Sequence, residues 1–103
     1  EGFYNYGINI DSKKVTKVMS SQAGKVIYCG NEIPGYGNLI LIKHSKNWIT
    51  AYAHLNEVFT EKGKNVSKGE IIGSVGNTGN VRSPQLHFEI RKGKESVNPL
   101  KLL

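Results

Sequence analysis

The alternation of polar and apolar positions is clearest over residues 83–90, which read Ser-Pro-Gln-Leu-His-Phe-Glu-Ile. A period of two is the spacing of a β-strand, so alternate residues share a face. The apolar face carries Leu86, Phe88 and Ile90, and the polar face carries Gln85, His87 and Glu89. We predict that the apolar face is buried and the polar face is solvated. Such a polar face is either the floor of a site or an ordinary surface, and this stretch alone leaves both interpretations open.

Short strands separated by turn residues make up the rest of the pattern. They are predicted at residues 7–11, 15–19, 24–28, 38–44, 48–55 and 70–75. The stretch 38–44 is almost continuously apolar, which is typical of a strand buried on both faces, and a tight turn joins it to the next strand as a hairpin. Residues 55–59 are expected to form at most one helical turn. Glycines punctuate the strands at spacings of roughly 8–12 residues, which predicts an all-β fold.

Length and charge narrow the choice of function. The 103 residues suffice for one domain with one core. The net charge of +6 comes largely from scattered lysines, which indicate a solvated face or a preference for anionic partners such as acidic cell-wall polymers. Aromatic and basic residues are not interleaved as in single-strand-binding proteins, so no nucleic-acid partner is expected. No transmembrane stretch or signal peptide is recognised, and the chain opens mid-motif, as a piece of a longer protein would.

Several motifs accompany the strand at residues 83–90. They are Gly35-Tyr36-Gly37-Asn38 before a strand ending Lys43-His44, Ala51-Tyr52-Ala53-His54-Leu55, a glycine-rich connector over residues 63–79, and Val97-Asn98-Pro99. In this order they resemble the LytM-type (M23) zinc endopeptidases, which cut peptide crosslinks in bacterial cell walls. The resemblance implies one all-β LytM domain over residues 1–103, with the family's duplicated hybrid motif, antiparallel sheets and long loops around a central groove. It also implies that this domain is the C-terminal part of a longer envelope protein.

The run of residues 30–44 is most similar to the amidase-activator branch of that family, the NlpD and EnvC type. This similarity implies a catalytically inactive domain that binds and activates an N-acetylmuramoyl-L-alanine amidase during cell separation. It implies a location in the periplasm or cell envelope, with membrane contact only through an upstream anchor.

The resemblance also implies a degenerate site. Active relatives hold zinc with the His and Asp of His-x-x-x-Asp and the second His of His-x-His. These positions fall here on Asn5, Asn9 and His87, while the general base of His-x-His falls on Gln85 and a further site histidine on His54. Amide oxygens are weak neutral donors for zinc, and glutamine cannot accept a proton near neutral pH. We therefore expect a vestigial site without catalytic residues, zinc or another cofactor.

The groove of such a domain would be rimmed by two loops, residues 31–37 and 76–82, which we call the first and second rim loops. The residues expected to contact the partner are Tyr36, Asn38, His54, Arg82, Gln85 and His87. The two groove histidines are expected to remain as hydrogen-bonded structural residues, bonded to Gln85 or to the asparagines. His44 is expected outside the groove.

Three other functions stay open. The domain could bind peptidoglycan in the groove without activating a partner. It could be a residual zinc endopeptidase, with Asp11 brought into the site by a shift in strand register. The two retained histidines in a glycine-punctuated β-domain also fit a sugar-phosphotransfer domain, although the cell-wall motifs argue against it.

Overall fold

The computed structural model describes residues 8–11, 16–92 and 95–97, with side chains described for residues 16–92. Nine strands lie in these ranges: β1 (Ile8–Asp11), β2 (Lys17–Met19), β3 (Gly24–Gly30), β4 (Asn38–Lys43), β5 (Trp48–Val58), β6 (Asn65–Val66), β7 (Ile71–Val75), β8 (Gln85–Lys92) and β9 (Glu95–Val97). A single 3-10 turn, Ser45–Asn47, is the only helical element among the described residues. None of these residues belongs to a helix long and apolar enough to cross a membrane.

All strand pairs are antiparallel, and the main sheet has the order β1-β8-β5-β4-β3-β6. The last part of β5 leaves this sheet to pair with β7, and β7 also pairs with β2. The far edge of β8 pairs first with β1 and then with β9. The predicted all-β class of antiparallel sheets is therefore confirmed.

The β4–β5 hairpin confirms the turn expected at residues 45–47. Lys46 and Asn47 both have positive φ, 59° and 65°, which reverses the chain within a single tight turn. Strand β4 is mostly buried, as its continuous apolar run predicts. This hairpin places two central strands side by side, and one face of each lines the groove described below.

The hydrophobic core lies between the main sheet and the smaller β2–β7 layer. Its members are Val18, Val26, Ile40, Ile42, Tyr52, Leu55, Val66, Ile72 and Val75. The helical turn expected at residues 55–59 is wrong, because β5 continues to Val58 and pairs with β7 through Leu55 and Val58. A register shift between those two residues lets the strand bend from one sheet into the other.

Close approach of the backbone, rather than turn geometry, explains part of the glycine-rich connector. Gly63, Gly69 and Gly79 have the positive φ that is typical of turn glycines. Gly73 instead sits inside β7 with ordinary φ, and a Cβ there would lie 2.6 Å from the carbonyl oxygen of Glu57. The missing side chain thus lets β7 pack directly against the end of β5.

Candidate functional site

His54 reaches the groove through an irregularity in β5. Asn38 pairs with Leu55 while Ile40 pairs with Tyr52, so one residue of β4 faces two residues of β5. His54 is one of those two and has a positive φ of 66°, a conformation that non-glycine residues adopt rarely. Such bulges redirect side chains and are common at functional sites.

Hydrogen bonds on both sides hold His54 in this conformation. Its backbone N–H donates to the carbonyl oxygen of Tyr36 at 2.8 Å, and its ring Nδ1 lies 2.8 Å from the carbonyl oxygen of Thr78. A carbonyl only accepts, so Nδ1 carries the proton and Nε2 is the acceptor atom of the neutral ring. Burial outweighs the opposing effect of the hydrogen bond to Thr78 and lowers the pKa of His54 below its usual value. The ring is therefore neutral near neutral pH.

A buried network occupies the floor of the groove. Glu89 is only 2% exposed, and its Oε2 accepts hydrogen bonds from Nε2 of His87 at 2.7 Å and from the hydroxyl of Tyr36 at 3.1 Å. Its Oε1 accepts two more from Arg91, from Nε at 3.0 Å and from Nη2 at 2.7 Å. One carboxylate thus connects two neighbours on its own strand with a tyrosine from the first rim loop.

The neighbouring side chains keep Glu89 ionised despite its burial. Burial alone would raise the pKa of this carboxyl, but the hydrogen bond from His87 and the charge and hydrogen bonds of Arg91 outweigh it, so the pKa lies below its usual value. The same environment raises the pKa of Tyr36, first through burial and then through the charge of Glu89. Tyr36 is therefore a hydrogen-bond donor at neutral pH.

The two rim loops are joined to each other through Thr78. Its hydroxyl donates to the carbonyl oxygen of Leu55 at 2.8 Å and accepts from the backbone N–H of Asn38 at 3.1 Å. Gly37 and Gly79, both with positive φ, bring the loop backbones into direct contact, because a Cβ on Gly79 would lie 2.6 Å from the nitrogen of Gly37. The shape of this side of the groove is thus set by backbone contacts.

Beside the network lies a small apolar cavity of about 270 Å³. It is lined by Ile33, Tyr36, Leu39, Leu41, Ile49, Ala51, Glu89 and Arg91. The size falls just below the usual range for small-molecule sites, roughly 300–1,000 Å³. A cavity of this size suits one side chain of a partner better than a whole ligand.

The predicted site residues do not all meet. Tyr36, His54 and His87 come together, with ring centroids 6.1 Å apart for Tyr36–His87 and 6.0 Å apart for His54–His87. The amide of Gln85 turns back to the carbonyl oxygen of Ser83 at 3.4 Å. Among the described side chains, the groove histidines bond Glu89 and the carbonyl oxygen of Thr78 and not Gln85. The alternative that we expected, bonds to Asn5 or Asn9, lies outside the described side chains.

The other predicted contacts lie further from the groove floor or beyond the described part of the chain. The side-chain amide of Asn38 donates to the backbone carbonyls of Leu55 and Asn56, so it supports the bulge. Arg82 is exposed in the second rim loop. Asn5 lies outside the described residues, and so does the side chain of Asn9, whose backbone is in register with His87.

His44 lies outside the groove, as predicted. Its ring bonds the carbonyl oxygen of Ala23 and the hydroxyl of Thr50 on the opposite face of the sheet.

The polar face of β8 is buried, which corrects the expectation of a solvated face. His87 and Glu89 are 4% and 2% exposed, whereas Leu86 and Phe88 are only partly buried. Tyr36 closes over this face from the first rim loop, and the ion pair with Arg91 compensates the buried charge. The spacing His87-x-Glu89-x-Arg91 could have indicated this, because alternate strand residues of complementary charge are neighbours on one face.

The described donors do not fit a zinc site. No group of three or more His, Cys, Asp or Glu side chains that could hold a metal occurs in the part of the chain with described side chains. His54 and His87 supply two imidazoles, and Glu89, the described carboxylate bonded to His87, is occupied by three partners. Catalytic zinc usually takes three protein ligands and a water.

Comparison with known proteins identifies the family of this chain. The profile of peptidase family M23 matches residues 3–99. The chain belongs to peptidase family M23. The predicted family is thus confirmed, and so is the similarity to the NlpD type. The chain is 42% identical to the murein hydrolase activator NlpD of Escherichia coli, over 96% of this chain and 26% of that protein. It is 48% identical to the cell division protein DipM of Caulobacter vibrioides, over 87% of this chain and 15% of that protein.

Solved M23 structures have the same fold. Lysostaphin of Staphylococcus simulans superposes with a TM-score of 0.92 at 28% identity, over 96% of this chain and 43% of that one. A zinc-containing peptidase of Vibrio cholerae superposes with a TM-score of 0.85 at 32% identity, over 90% of this chain and 28% of that one. These matches confirm the predicted LytM-type architecture. The chain spans well under half the length of the two curated relatives described above.

Proposed function

We propose that this domain regulates cell-wall hydrolysis in the bacterial envelope without cutting the wall itself, by binding an N-acetylmuramoyl-L-alanine amidase. The observation that carries the proposal is the groove floor, where the carboxylate of Glu89 is committed to His87, Tyr36 and Arg91. Among the described side chains two imidazoles remain, which is fewer than the three protein ligands that catalytic zinc usually takes. The similarity to proteins named murein hydrolase activators supports a regulatory role.

The groove and its rim loops are the docking surface in this proposal. Thr78 and the Gly37–Gly79 contact fix the loops relative to each other, so the surface is preorganised. Preorganisation reduces the entropy lost when a partner binds. The domain would activate the amidase by binding its open form more tightly than its closed form, because differential affinity is all that a population shift requires.

The test mixes the purified domain with each amidase of its own cell and measures the release of dye from labelled sacculi. We expect stimulation of at least one amidase and no release by the domain alone. His54→Ala should reduce the stimulation, whereas His44→Ala, which removes the same ring from the opposite face, should leave it unchanged. Stimulation of no amidase would contradict the proposal.

Peptidoglycan binding without activation is the second candidate. It is favoured by the net charge of +6, because the wall is an anionic mesh. Pull-down with purified sacculi in the absence of any amidase distinguishes the two. Salt-sensitive binding to sacculi, with no amidase stimulated, would favour this candidate. No retention by sacculi would exclude it.

Residual zinc peptidase activity is tested by metal analysis of the purified domain. We expect less than about a tenth of a zinc ion per chain, because two imidazoles alone hold the metal weakly. Stoichiometric zinc, together with crosslink cleavage that a chelator abolishes, would overturn the inactive assignment.

A further inference from the structure

We propose that Glu89 is the positioning residue of the groove: its buried carboxylate holds Tyr36, His87 and Arg91 in one arrangement, and partner recognition depends on that arrangement. Glu89 is itself 2% exposed, so it acts through these neighbours. This inference rests on the proposed function, because recognition is measured with the amidase partner.

The geometry shows why one carboxylate can do this. Each oxygen bonds different neighbours, since Oε2 accepts from His87 and Tyr36 while Oε1 accepts two bonds from Arg91. Tyr36 belongs to a loop 53 residues away in sequence from Glu89. The carboxylate of Glu89 therefore joins the first rim loop to β8.

Stability alone is a weak reason for such a network. Burying charges is costly, and a buried ion pair often contributes no more to folding than apolar residues of similar volume. What the network does supply is a fixed orientation of polar groups at the cavity wall. Tyr36 and Arg91 both line the 270 Å³ cavity, and the side chain of Arg91 remains 31% exposed. A partner that docks at the cavity would therefore contact Tyr36 and Arg91.

Glu89→Gln is the decisive variant, because it keeps the volume and removes the charge. The Gln oxygen can still accept from two neighbours, but its NH₂ group would face a donor, the guanidinium of Arg91. The arrangement should then loosen at Arg91. Glu70→Gln is the matched control, since Glu70 also pairs with a cation, Lys64, at 3.2 Å, but lies in the connector away from the groove.

The first readout uses the domain alone. Hydrogen exchange of the Arg91 Nε–H, followed by NMR, should be slow in the native domain and faster by about ten-fold or more in Glu89→Gln, because the hydrogen bond to Oε1 is lost. Glu70→Gln should leave it unchanged. Equal exchange in the native domain and Glu89→Gln would overturn the positioning role, whichever partner is found.

The second readout is the domain concentration that gives half-maximal amidase stimulation, measured where all variants are fully folded. We expect Glu89→Gln to raise it about ten-fold, the effect of losing one charged contact. In an Arg91→Met background the same substitution should have little further effect, because it keeps an acceptor for Tyr36 and His87 and loses only the bonds to Arg91. A purely structural role predicts an unchanged concentration in the folded variant, and that result would refute the inference.

Failure of the proposed function and failure of this inference give different results. A native domain that stimulates no amidase contradicts the proposed function, and the exchange measurement then decides the positioning role by itself. A native domain that does stimulate, combined with a Glu89→Gln variant that loosens Arg91 and stimulates equally well, leaves the proposed function intact and overturns this inference.

Discussion

Gly79 and Gly69 form a matched pair that tests how the rim loops are held together. Both have nearly the same backbone conformation, with φ of 82° and 83°. A Cβ on Gly69 would meet nothing within 4 Å, whereas one on Gly79 would lie 2.6 Å from the nitrogen of Gly37 and 2.8 Å from the carbonyl oxygen of Gly35. Substitution by alanine therefore adds the same backbone strain at both sites and a steric clash at only one.

The magnitudes follow from these two contributions. Left-handed backbone costs an alanine about 1–2 kcal/mol, which applies to both variants. Overpacking a fixed contact adds about 1–3 kcal/mol for Gly79→Ala alone. In a domain of this size each kcal/mol lowers the Tm by roughly 4–8 °C, so Gly79→Ala should melt at least about 4 °C below Gly69→Ala.

Thermal unfolding by circular dichroism measures the difference, and amide exchange adds a local readout. The N–H of Asn80 donates to the carbonyl oxygen of Gly35 across the same contact, so its protection should fall in Gly79→Ala and remain in Gly69→Ala. Equal Tm values for the two variants, with Asn80 equally protected, would refute the conclusion that direct backbone contact sets the groove wall.

Three further predictions concern single side chains. Thr78→Val leaves the N–H of Asn38 without its acceptor and should cost about 1–3 kcal/mol in chemical unfolding. Thr60→Val should be neutral or stabilising, because the hydroxyl of Thr60 is buried without a hydrogen-bond partner among the described residues. An equal loss of unfolding free energy in Thr60→Val and Thr78→Val would contradict this. Burial raises the pKa of the Cys29 thiol, so its alkylation by iodoacetamide should be slower than that of free cysteine. The rate should rise only at a pH above the usual thiol pKa of about 8.5. Rates equal to those of free cysteine would show that the thiol is accessible.

Local patterns predicted the scaffold well. The hairpin at residues 38–55 and the strand at 85–92 follow from periodicity, because pairing between neighbouring strands depends on nearby residues. The family was also recognisable, since its motifs are short and ordered along the chain. The conformation of His54 was not predictable in this way, because its positive φ results from a bulge that only the pairing register of β4 and β5 defines.

The burial of the β8 polar face shows most clearly what the sequence pattern cannot predict. A period of two tells which residues share a face, but it does not tell which segment covers that face. Here the cover is Tyr36, and the charge that makes burial tolerable is Arg91, two residues after Glu89. The contact with Tyr36 is remote in sequence and could not be inferred. The contact with Arg91 could be inferred from the sequence of the strand.

The groove therefore depends on two sets of interactions that use different groups. Its outline comes from backbone features: the bulge at His54, the Gly37–Gly79 contact and the bonds of Thr78. Its polar floor comes from the charge balance around Glu89. Because the first set does not use the side chains of the second, substitutions on the floor can change what the groove does while leaving its outline in place. The scaffold shared with lysostaphin, at a TM-score of 0.92, is thus compatible with the proposed regulatory role.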